Sequence, residues 1–556
     1  MAAFTLRDSR RLTGPNIMGP NAGPVMDLAL EDREADALES LWRSRIQALL
    51  DGLGWVDSIL TSRRFPGGLS LSFSAPMDVL YTACEMNEWA LAETEDLAAS
   101  VDHFKKALRN EANPPLIRLQ ESAARVGTLF LSCDDFVSVG AGRWSETWSV
   151  KGLPEAGGVD MKAHVRIPTA MITGTNGKTT TVRLLKAMVD AQGKVPGLSS
   201  TDWLMVGDEI LDHGDWSGPG GARTILRDSR VDVALLETAR GGMLRRGLAV
   251  GPQEADVVLV NNIAADHLGE WGVQDLDMLA DTKFVIRHAG RHVVINAEDE
   301  KSVERAHLVE QPLTWFSLNL DLPHLKKHIA SGGKAATLQE GNLCWTQEGE
   351  TEVFLSASEV PMTLHGAAKH NVANALAAIS VAKELGIPDS AIRQGLQSFQ
   401  SNVKDNPGRM NQFDVKGISV FVDFAHNPHG LSALFEMTAN LPSKRRLVTL
   451  GHAGDRNDEN LKELARTAAA SGVDCILLKE QPKNLRGRKL GEVPRIIHET
   501  LLESGYPENQ ILRAEDEIQA TEMALDWAES GDLLLLLALD RRADVIQLIE
   551  AEQSKK

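Results

Sequence analysis

The stretch ITGTNGKTTT, residues 172–181, combines residue types that bind phosphate. Only two residues separate Gly174 from Gly177, which is shorter than in the common nucleotide-binding loop. Glycines let backbone N–H groups approach an anion, a following helix adds its partial positive charge, and Lys178 can reach the outer phosphates. A hydroxyl for Mg²⁺ follows at Thr179. The stretch predicts a triphosphate site, with a bare turn as the alternative.

Acidic and histidine side chains follow two buried strands, where a metal for the triphosphate is expected. VDVALLE ends in Glu237, and ADVVLVNNIAADH runs to Asp266 and His267. In an open parallel sheet, ligands bind at the carboxyl ends of the strands. These positions therefore predict metal ligands, and for either one alone a structural salt bridge is the alternative.

The elements that must carry these residues are short apolar runs that alternate with helix patterns. From about residue 165 the runs are TAMIT, VDVALLE, ADVVLVNN and RHVVINAED, and after NPGRM they are ISVFVDFAH, RRLVTLGHAGD, DCILLKE and GDLLLLLALD. Such runs are typical of strands buried on both faces of a parallel sheet. The sequence predicts an α/β protein with an α+β N-terminal module (1–165), a central P-loop ATPase domain with a mostly parallel sheet (166–405) and a C-terminal Rossmann-like doubly wound domain (406–556).

The N-terminal module offers no nucleophile and no metal spacing. Apolar residues recur at helical spacing over residues 38–50, and LSLSFS at residues 69–74 alternates as a half-buried strand does. Its function is predicted to be substrate binding or assembly, and a packing domain is the alternative.

Composition narrows the class of protein. The 556 residues carry a net charge of −19, which argues against nucleic acid or an anionic membrane as a partner. The four cysteines share no metal-like spacing, as in a reduced cytoplasmic protein. The N-terminus lacks the apolar segment of a signal peptide, and LLLLLAL at residues 533–539 predicts a buried central strand because it is too short to span a bilayer. We therefore expect a cytoplasmic protein, and leave a homo-oligomer open.

Taken in order, the motifs resemble those of the Mur ligase superfamily of ATP-dependent amide-forming enzymes. The resemblance covers almost everything from residue 171 onward, and the family's short phosphate loop, GT(N/K)GK(T/S), accounts for the unusual spacing. The motifs that carry it are GTNGKTT, the strand-end Glu237, the DH of residues 266–267, Lys283 in LADTKF, VVINAED, HNVANALAA, GRM, FVDFAHNP and GDR.

Within the superfamily, the chain resembles the Mur-like half of the cyanophycin synthetases. LETARGGMLRRGL, NIAADHLGEWG and NLRGRKLGEVP look like signatures of that group, RRLTGPNI resembles its opening, and SVGAG resembles the end of its N-terminal domain. In those enzymes an ATP-grasp domain, which extends an aspartate backbone, stands between the two parts. Here about twenty residues connect SVGAG to the phosphate-loop strand. The resemblance implies that this chain lacks the ATP-grasp half and does not polymerise the backbone.

The resemblance implies that a substrate carboxylate attacks the γ-phosphate of ATP, giving an acyl phosphate and ADP, and that an amine then displaces phosphate. The protein's task is to position the reactants and to neutralise charge. Thr179 and Glu237 would bind a first Mg²⁺, and His267 a second. The residues implied to hold ATP phosphates are Gly174, Thr175, Asn176, Gly177, Lys178, Thr179 and Thr180.

Three further central-domain residues match functional positions of the family. Lys283 matches a lysine that many Mur ligases carbamylate, which turns a cation into a metal-bridging anion, and a plain surface lysine is the alternative. Asn296 and Asn371 match residues that lie against adenine or ribose, with a turn residue and a helix cap as the respective alternatives.

In the C-terminal domain, Arg409 would reach the nucleotide phosphates, and the strand-end residues would line the nucleotide and acyl-phosphate site. Those strand-end residues are Asp423, His426 and Asn427. Asp455 and Arg456 match the positions at which the family binds the incoming substrate. The cyanophycin-like segment adds Arg486 and Arg488, which would pair with an acidic substrate or cap a helix. The residues predicted to take part in catalysis are Lys178, Glu237, His267, Lys283, Asp423 and His426.

The leading hypothesis is ADP-forming ligation of an amino compound onto a small-molecule or peptide carboxylate. If the likeness extends to the substrate, arginine or lysine would be joined to an aspartyl side chain. The alternatives are a non-catalytic nucleotide-binding regulator of another synthetase, a simple NTPase or kinase, and a folate- or peptidoglycan-type ligase. The presence of Lys178, Glu237, His267 and Asp423 counts against the regulator, and the C-terminal sheet counts against the NTPase or kinase.

Overall fold

The computed structural model describes residues 4–92, 96–439 and 441–555 of the chain. Two antiparallel sheets, one of four strands and one of three, form the N-terminal part with four helices. In chain order, the elements are β1 (Phe4–Leu12), β2 (Gly23–Leu30), α1 (Ala35–Leu53), β3 (Leu60–Phe65), β4 (Gly68–Phe73), α2 (Leu80–Trp89), α3 (Leu97–Glu111), α4 (Pro114–Val126), β5 (Phe130–Ser132), β6 (Phe136–Val139) and β7 (Glu146–Ser149). The strand orders are β1-β2-β4-β3 and β5-β6-β7.

The helix predicted at residues 38–50 is α1. It buries Trp42 and Ile46 completely, because apolar residues at helical spacing share one face. The helix continues past Gly52 and ends at Gly54, which takes the left-handed conformation (φ 80°) that glycine tolerates best.

The strand predicted at residues 69–74 is β4, but the predicted half-burial was wrong. Ser70 and Ser72 are buried as well as the apolar residues between them. Ser70 Oγ donates to the buried Asp27 on the neighbouring strand at 2.6 Å. A hydroxyl can be buried when it has such a partner, so alternation of polarity did not indicate an exposed face here.

The central domain is built on an eleven-stranded sheet with the order β11-β10-β9-β12-β8-β13-β14-β15-β16-β17-β18. Its elements are β8 (Thr169–Thr173), α5 (Lys178–Ala191), β9 (Pro196–Ser199), β10 (Trp203–Val206), β11 (Glu209–His213), α6 (Pro219–Arg227), β12 (Val233–Glu237), α7 (Arg240–Arg246), β13 (Ala255–Val260), α8 (Leu276–Phe284), β14 (Gly290–Asn296), α9 (Glu300–Arg305), β15 (Leu313–Ser317), α10 (Pro323–Ala330), β16 (Lys334–Gln339), β17 (Asn342–Gln347), β18 (Glu350–Ser356), α11 (Lys369–Glu384) and α12 (Asp389–Ser398).

The strands from β9 through β16 in this sheet are parallel, and an antiparallel pair closes each edge. The predicted mostly parallel sheet is therefore confirmed. Strands β8 and β12 are buried along their whole length, with apolar clusters on both faces. This burial explains their unbroken apolar runs, since no face meets water.

The C-terminal domain carries a six-stranded sheet with the order β19-β20-β24-β21-β22-β23. Only the β19–β20 pair is antiparallel. The predicted strand LLLLLAL is β24, which is buried at the centre of the sheet between β20 and β21. The elements are β19 (Asn411–Val415), β20 (Ile418–Asp423), α13 (Pro428–Ala439), β21 (Arg446–Leu450), α14 (Asp458–Ala469), β22 (Cys475–Lys479), α15 (Glu492–Glu503), β23 (Ile511–Ala514), α16 (Glu517–Trp527), β24 (Leu533–Leu537) and α17 (Arg542–Ser554).

Among the described residues, every helix is too short or too polar to cross a bilayer. The predicted boundaries near residues 165 and 405 lie in connecting segments before β8 and β19. They stay predictions as domain limits.

Candidate active site

One cavity of about 1190 Å³ lies where the carboxyl ends of the central strands face the C-terminal domain. The phosphate loop lines it from the central side, and the loops after β20, β21 and β22 line it from the C-terminal side. All the predicted site residues except Asn427 and Arg488 line this cavity. The structure therefore places residues from two separate sheets around one space.

The phosphate loop joins β8 to α5, and its two glycines are required by the geometry. Gly177 has a φ of 83° and Gly174 a φ of 150°. A Cβ on Gly177 would lie 2.2 Å from Oδ1 of Asn374, and one on Gly174 would lie 2.9 Å from Cβ of Asn261. Asn261 also donates to the carbonyl of Asn176 at 3.0 Å. The loop is thus a closely supported turn at a helix N-terminus, as an anion site requires.

The predicted metal ligands Thr179 and Glu237 are in direct contact. Thr179 Oγ1 donates to Glu237 Oε2 at 2.9 Å, and Thr201 Oγ1 donates to Glu237 Oε1 at 2.6 Å. Glu237 is 1 % exposed and forms no ion pair with any described residue. The salt-bridge alternative for Glu237 is therefore wrong. A buried carboxylate held only by hydroxyl and N–H donors suits a hard divalent cation, because such a charge needs compensation.

Two lysines line the same cavity. Lys178 Nζ donates to the carbonyl of Thr175 at 3.0 Å. Lys283 is only 4 % exposed, so the alternative of a surface lysine is wrong. Burial, and next the nearby charge of Lys178, hold the pKa of Lys283 well below its usual range. Lys283 therefore favours a neutral amine, the form that can react with CO₂.

His267 contacts Glu270 and Arg456 rather than Thr179 and Glu237. Its Nδ1 is 3.1 Å from Glu270 Oε1, and its Nε2 is 2.8 Å from Arg456 Nη2. Arginine only donates, so Nε2 accepts and the ring proton is on Nδ1, facing Glu270. His267, Glu270 and Asp455 bring one ligand atom each to within 4.8 Å of one another. Imidazole nitrogen and carboxylate oxygen are donors that suit a divalent cation.

The C-terminal sheet contributes a buried carboxylate and an arginine. Asp423, at the end of β20, accepts N–H groups from Met410 at 2.9 Å and Ala425 at 2.8 Å. Burial raises the pKa of Asp423, and Arg409 opposes this rise. Arg409 lies over the ring of Phe424, 4.2 Å from its centroid. The ring holds the guanidinium in the wall of the cavity that the phosphate loop also lines.

His426 and Asp266 connect the two domains at the same place. His426 Nε2 is 3.7 Å from Asp266 Oδ2, and Arg456 Nη2 is 3.1 Å from Asp266 Oδ1. Burial opposes ionisation of Asp266, but His426, His267 and Arg456 together hold its pKa well below its usual range. Asp266 is therefore an anion that holds a cation and an imidazole from the C-terminal domain.

The loops predicted to meet the incoming substrate follow β21 and β22. Asp455 pairs with Arg486, and both line the cavity. Arg488 lies behind the loop, where it donates to the carbonyls of Gly454 at 3.0 Å and Arg456 at 2.6 Å. Arg488 thus supports the loop after β21 from outside the cavity wall.

Asparagines occupy the predicted nucleotide side. Asn371 lies inside α11 and donates to the carbonyl of Met362 at 2.9 Å, so the helix-cap alternative is wrong. Asn296 ends β14, and its Oδ1 accepts the N–H of Glu298 at 2.9 Å, a contact expected of a turn residue. Asn296 also lines the cavity, as a residue that contacts the nucleotide would.

Asn427 is buried and binds the phosphate loop across the domain boundary. Its amide exchanges hydrogen bonds with that of Asn176, at 3.1 and 3.2 Å. His429 Nδ1 accepts from the same Asn176 at 2.9 Å. These contacts place the start of α13 against the phosphate loop.

Sequence reasoning missed several cavity residues. Asn374 stands one helical turn after a predicted asparagine in the same motif, and Asn261 directly follows the buried strand β13, so both carried a usable signal. Thr201 and Gln481 follow strands without a distinctive spacing, and only the sheet order places them in the site. Glu270 lies in the quoted stretch NIAADHLGEWG, three residues after the predicted histidine.

Two family models match the chain. The model for the Mur ligase middle domain matches residues 172–382, and that for the Mur ligase glutamate ligase domain matches residues 408–538. Together they span more than half of the sequence. The chain belongs to the Mur ligase superfamily. The resemblance predicted from the motifs is confirmed.

Curated relatives include cyanophycin synthetase from Trichormus variabilis, which is 37% identical over 388 residues, covering 69% of this chain and 42% of the relative. The chain therefore spans less than half the length of such relatives. A UDP-N-acetylmuramoyl-L-alanyl-D-glutamate--2,6-diaminopimelate ligase from Listeria monocytogenes is 26% identical over 383 residues, covering 66% of this chain and 72% of the relative.

Among solved structures, E. coli FolC in complex with ADP superimposes with a TM-score of 0.51 at 18% identity, over 82% of this chain and 98% of that one. A bifunctional folylpolyglutamate synthase/dihydrofolate synthase with Mn, AMPPNP and L-glutamate bound gives a TM-score of 0.50 at 19% identity, over 69% and 89% of the two chains. These likenesses confirm the predicted α/β fold.

Proposed function

We propose that this chain is an ADP-forming, ATP-dependent ligase that joins an amino compound to a carboxylate through an acyl phosphate. The observation that carries the proposal is a single cavity with a phosphate loop and the Thr179–Glu237 pair on one wall, and Asp423, His426 and Arg456 on the facing wall. A simple NTPase needs only the first wall. The second wall would supply groups for the other two reactants, the carboxylate and the amine.

The phosphate loop and its helix would hold the β- and γ-phosphates of ATP, with Lys178 and Arg409 neutralising their charge. Thr179 and Glu237 would hold a divalent metal, which supplies charge neutralisation on the phosphates when bound. His267 would hold a second Mg²⁺ ion. Asn296 and Asn371 would contact the adenosine.

Carboxylate attack on the γ-phosphate requires the carboxylate and the phosphate to be in line and shielded from water. The contacts between Asn176, Asn427 and His429 join the two domains at one edge of the cavity, beside the phosphate loop. An acyl phosphate formed there would be protected until the amine attacks its carbonyl carbon and phosphate leaves.

Three polar atoms without partners indicate how an amino acid would be held. Among the described residues, Arg456 Nη1 and Gln481 Nε2 are buried donors with no hydrogen-bond partner, and Asp455 Oδ1 is a buried acceptor without one. All three residues line the cavity at the carboxyl edge of the C-terminal sheet. Unpaired buried groups are costly, so they point to a ligand that completes them. Two donors and one acceptor complement the carboxylate and ammonium of an α-amino acid.

The amine and carboxylate are proposed from the resemblance to cyanophycin synthetases. Arginine or lysine would be the amine, and an aspartyl side chain in a small molecule or peptide would be the carboxylate. Arg486, beside Asp455, would meet the acidic partner.

Lys283 is proposed to be carbamylated. Its buried side chain lines the cavity, and its neutral form is favoured by burial and by Lys178. Reaction of the neutral amine with CO₂, with release of a proton, would turn this side chain into a carbamate anion beside Lys178 that could hold a metal. An intact-mass measurement with and without added bicarbonate tests this step.

The test of the ligase is ADP release across a panel of amines and carboxylates, with products identified by mass spectrometry. We expect ADP release that needs both an amine and a carboxylate, and an amide product. Lys178→Ala should abolish it, while the matched control Lys186→Ala, on the outer side of the same helix, should keep it. Lys186 pairs with Asp190 and Asp208, outside the cavity. Turnover without an amine, or a phosphorylated product without an amide, would refute the ligase and favour an NTPase or kinase.

A further inference from the structure

The N-terminal motif RRLTGPNI pairs with the end of α7, a contact that the proposed chemistry does not explain. Thr13 N donates to the carbonyl of Arg246 at 2.8 Å, and Leu248 N donates to the carbonyl of Pro15 at 2.7 Å. A Cβ on Gly14 would lie 2.3 Å from the Leu248 oxygen, so only glycine fits there. The motif therefore fixes α7 backbone to backbone.

Arg10, in the same motif, extends this contact towards the cavity. Its Nε donates to the carbonyl of Leu244 at 3.0 Å, and its Nη1 pairs with the buried Asp27 at 2.5 Å. Asp27 is held in turn by Ser70 at 2.6 Å. The Arg10 guanidinium lies 5.0 Å from the ring centroid of Trp271, a residue of the cavity wall. A side chain anchored inside the N-terminal sheet thus reaches the wall of the candidate active site.

A second contact involves the same stretch of wall, residues 267–273, which we name the wall loop. Arg63 Nη2 donates to the carbonyl of Gly272 at 3.1 Å. Gly272 has a φ of 69°, and a Cβ on it would lie 3.0 Å from the ring of Phe65. Strand β3 of the N-terminal domain therefore packs directly on the wall loop.

The wall loop carries groups of the candidate site in an unusual conformation. His267 and Trp271 have φ values of 54° and 53°, which non-glycine residues adopt only where the surroundings enforce it. Arg240, at the start of α7, pairs with Glu270 at 2.7 Å and also donates to the His267 carbonyl. Since Glu270 contacts His267, and His267 contacts Arg456, a continuous chain of contacts runs from the N-terminal domain to the C-terminal side of the cavity.

We propose that the N-terminal domain sets the position of the wall loop, with Arg10 and Arg63 as positioning residues of the ligase site. The proposal rests on the proposed function in one respect, namely that the wall loop shapes the part of the cavity where carboxylate and amine meet. The N-terminal domain then does more than pack against the central domain, because it helps to shape the candidate active site. It holds the strained loop that presents His267 and Glu270, while the phosphate loop is supported by other elements.

The chain offers matched controls in the neighbouring arginines. Arg64 pairs with Asp36 and Glu39 inside the N-terminal domain, and Arg11 pairs with Asp134 and stacks on Tyr81. Arg63→Ala is therefore compared with Arg64→Ala, and Arg10→Lys with Arg11→Lys. Lysine at position 10 keeps a cation for Asp27, so the sheet interior stays paired.

The first measurement is hydrogen exchange of the full chain, followed at the wall loop. The amides of Gly269 and Val273 report its closure, because Gly269 N donates to Val273 O at 2.7 Å and Val273 N donates to Glu270 O at 3.0 Å. We expect Arg63→Ala and Arg10→Lys to exchange these amides about fivefold faster, with unchanged exchange in β8 and α5. The control variants should match the parent chain. Unchanged exchange in Arg63→Ala and Arg10→Lys would overturn the proposal.

The second measurement is amine-dependent ADP release by the same variants. We expect kcat to fall about fivefold in Arg63→Ala while the KM for ATP stays within about twofold, since the phosphate loop is not touched. Arg63→Lys, which keeps a donor for the Gly272 carbonyl, should restore most of kcat. If Arg63→Ala kept the full kcat although its wall loop exchanged faster, the claim that the position of this loop affects catalysis would be overturned. Absence of amine-dependent turnover in the parent chain would refute the proposed function, and the exchange measurement would still decide whether the domain positions the loop.

Discussion

The Asp202→Asn substitution tests how the central and C-terminal domains are held together beside the phosphate loop. Asp202, with a side chain 7 % exposed, pairs with Arg542 at 2.6 Å and with Arg183, and lies 3.9 Å from Arg409. Arg542 and Arg409 belong to the C-terminal domain, whereas Arg183 is on α5. One carboxylate thus joins cations from both domains.

The expected loss of unfolding free energy in Asp202→Asn follows from the burial of this carboxylate. Burial opposes ionisation of Asp202, but Arg409, Arg183 and Arg542 hold its pKa below its usual value. Its stabilising contribution is therefore present above the unfolded pKa near 3.8 and is lost as the pH falls below that value. Removing one partner of a buried ion pair costs about 3–5 kcal/mol, and because the Asn oxygen still accepts hydrogen bonds we expect about 3 kcal/mol.

The assay is calorimetric melting of the full chain at neutral pH. A loss of about 3 kcal/mol corresponds to a Tm lowered by about 6–12 °C for a domain of this size. Asp208→Asn is the matched control, because that carboxylate is 98 % exposed and its ion pair among the described residues is with Lys186, so the Tm of this variant should shift by less than about 2 °C. If Asp202→Asn melted within about 2 °C of the parent chain, the carboxylate would not be the link between the domains.

Three further predictions address the site and its pH dependence. Glu237→Gln removes the charge that Thr179 and Thr201 hold, so the Mg²⁺ concentration for half-maximal ADP release should rise by more than about tenfold; an unchanged Mg²⁺ titration would exclude Glu237 as a metal ligand. Gly177→Ala should abolish ADP binding measured by calorimetry, because the added Cβ would clash with an asparagine amide at 2.2 Å, and retained affinity would contradict the geometry of the loop. Burial raises the pKa of Glu254 to about 7, so the protonated form is favoured in the fold and stability falls as the pH rises from 4.5 through 7. Glu254→Gln should remove that decrease in urea melts at pH 5 and pH 8, and equal pH slopes in both chains would contradict it.

Local patterns were enough to predict the elements around the nucleotide. TAMIT, GTNGK and the following amphipathic run predicted β8, the loop and α5, because period, glycine placement and apolar burial are properties of neighbouring residues. Strand-end positions likewise indicated Glu237 and Asp266, since parallel strands place their carboxyl ends at one edge, whereas Asp423 was implied by the family resemblance. Burial of Ser70 in β4 was not predictable, because its partner Asp27 comes from another strand.

What the sequence by itself determined is the fold class, the phosphate loop and its superfamily, all of which depend on short-range spacing and ordered motifs. The tertiary structure alone decided which residues meet across the domains, such as Arg456 with His267 and Asp202 with Arg542. It also decided that RRLTGPNI contacts α7 and the wall loop, more than two hundred residues away in the chain. Such pairings depend on sheet order and domain docking, and no local propensity encodes either one.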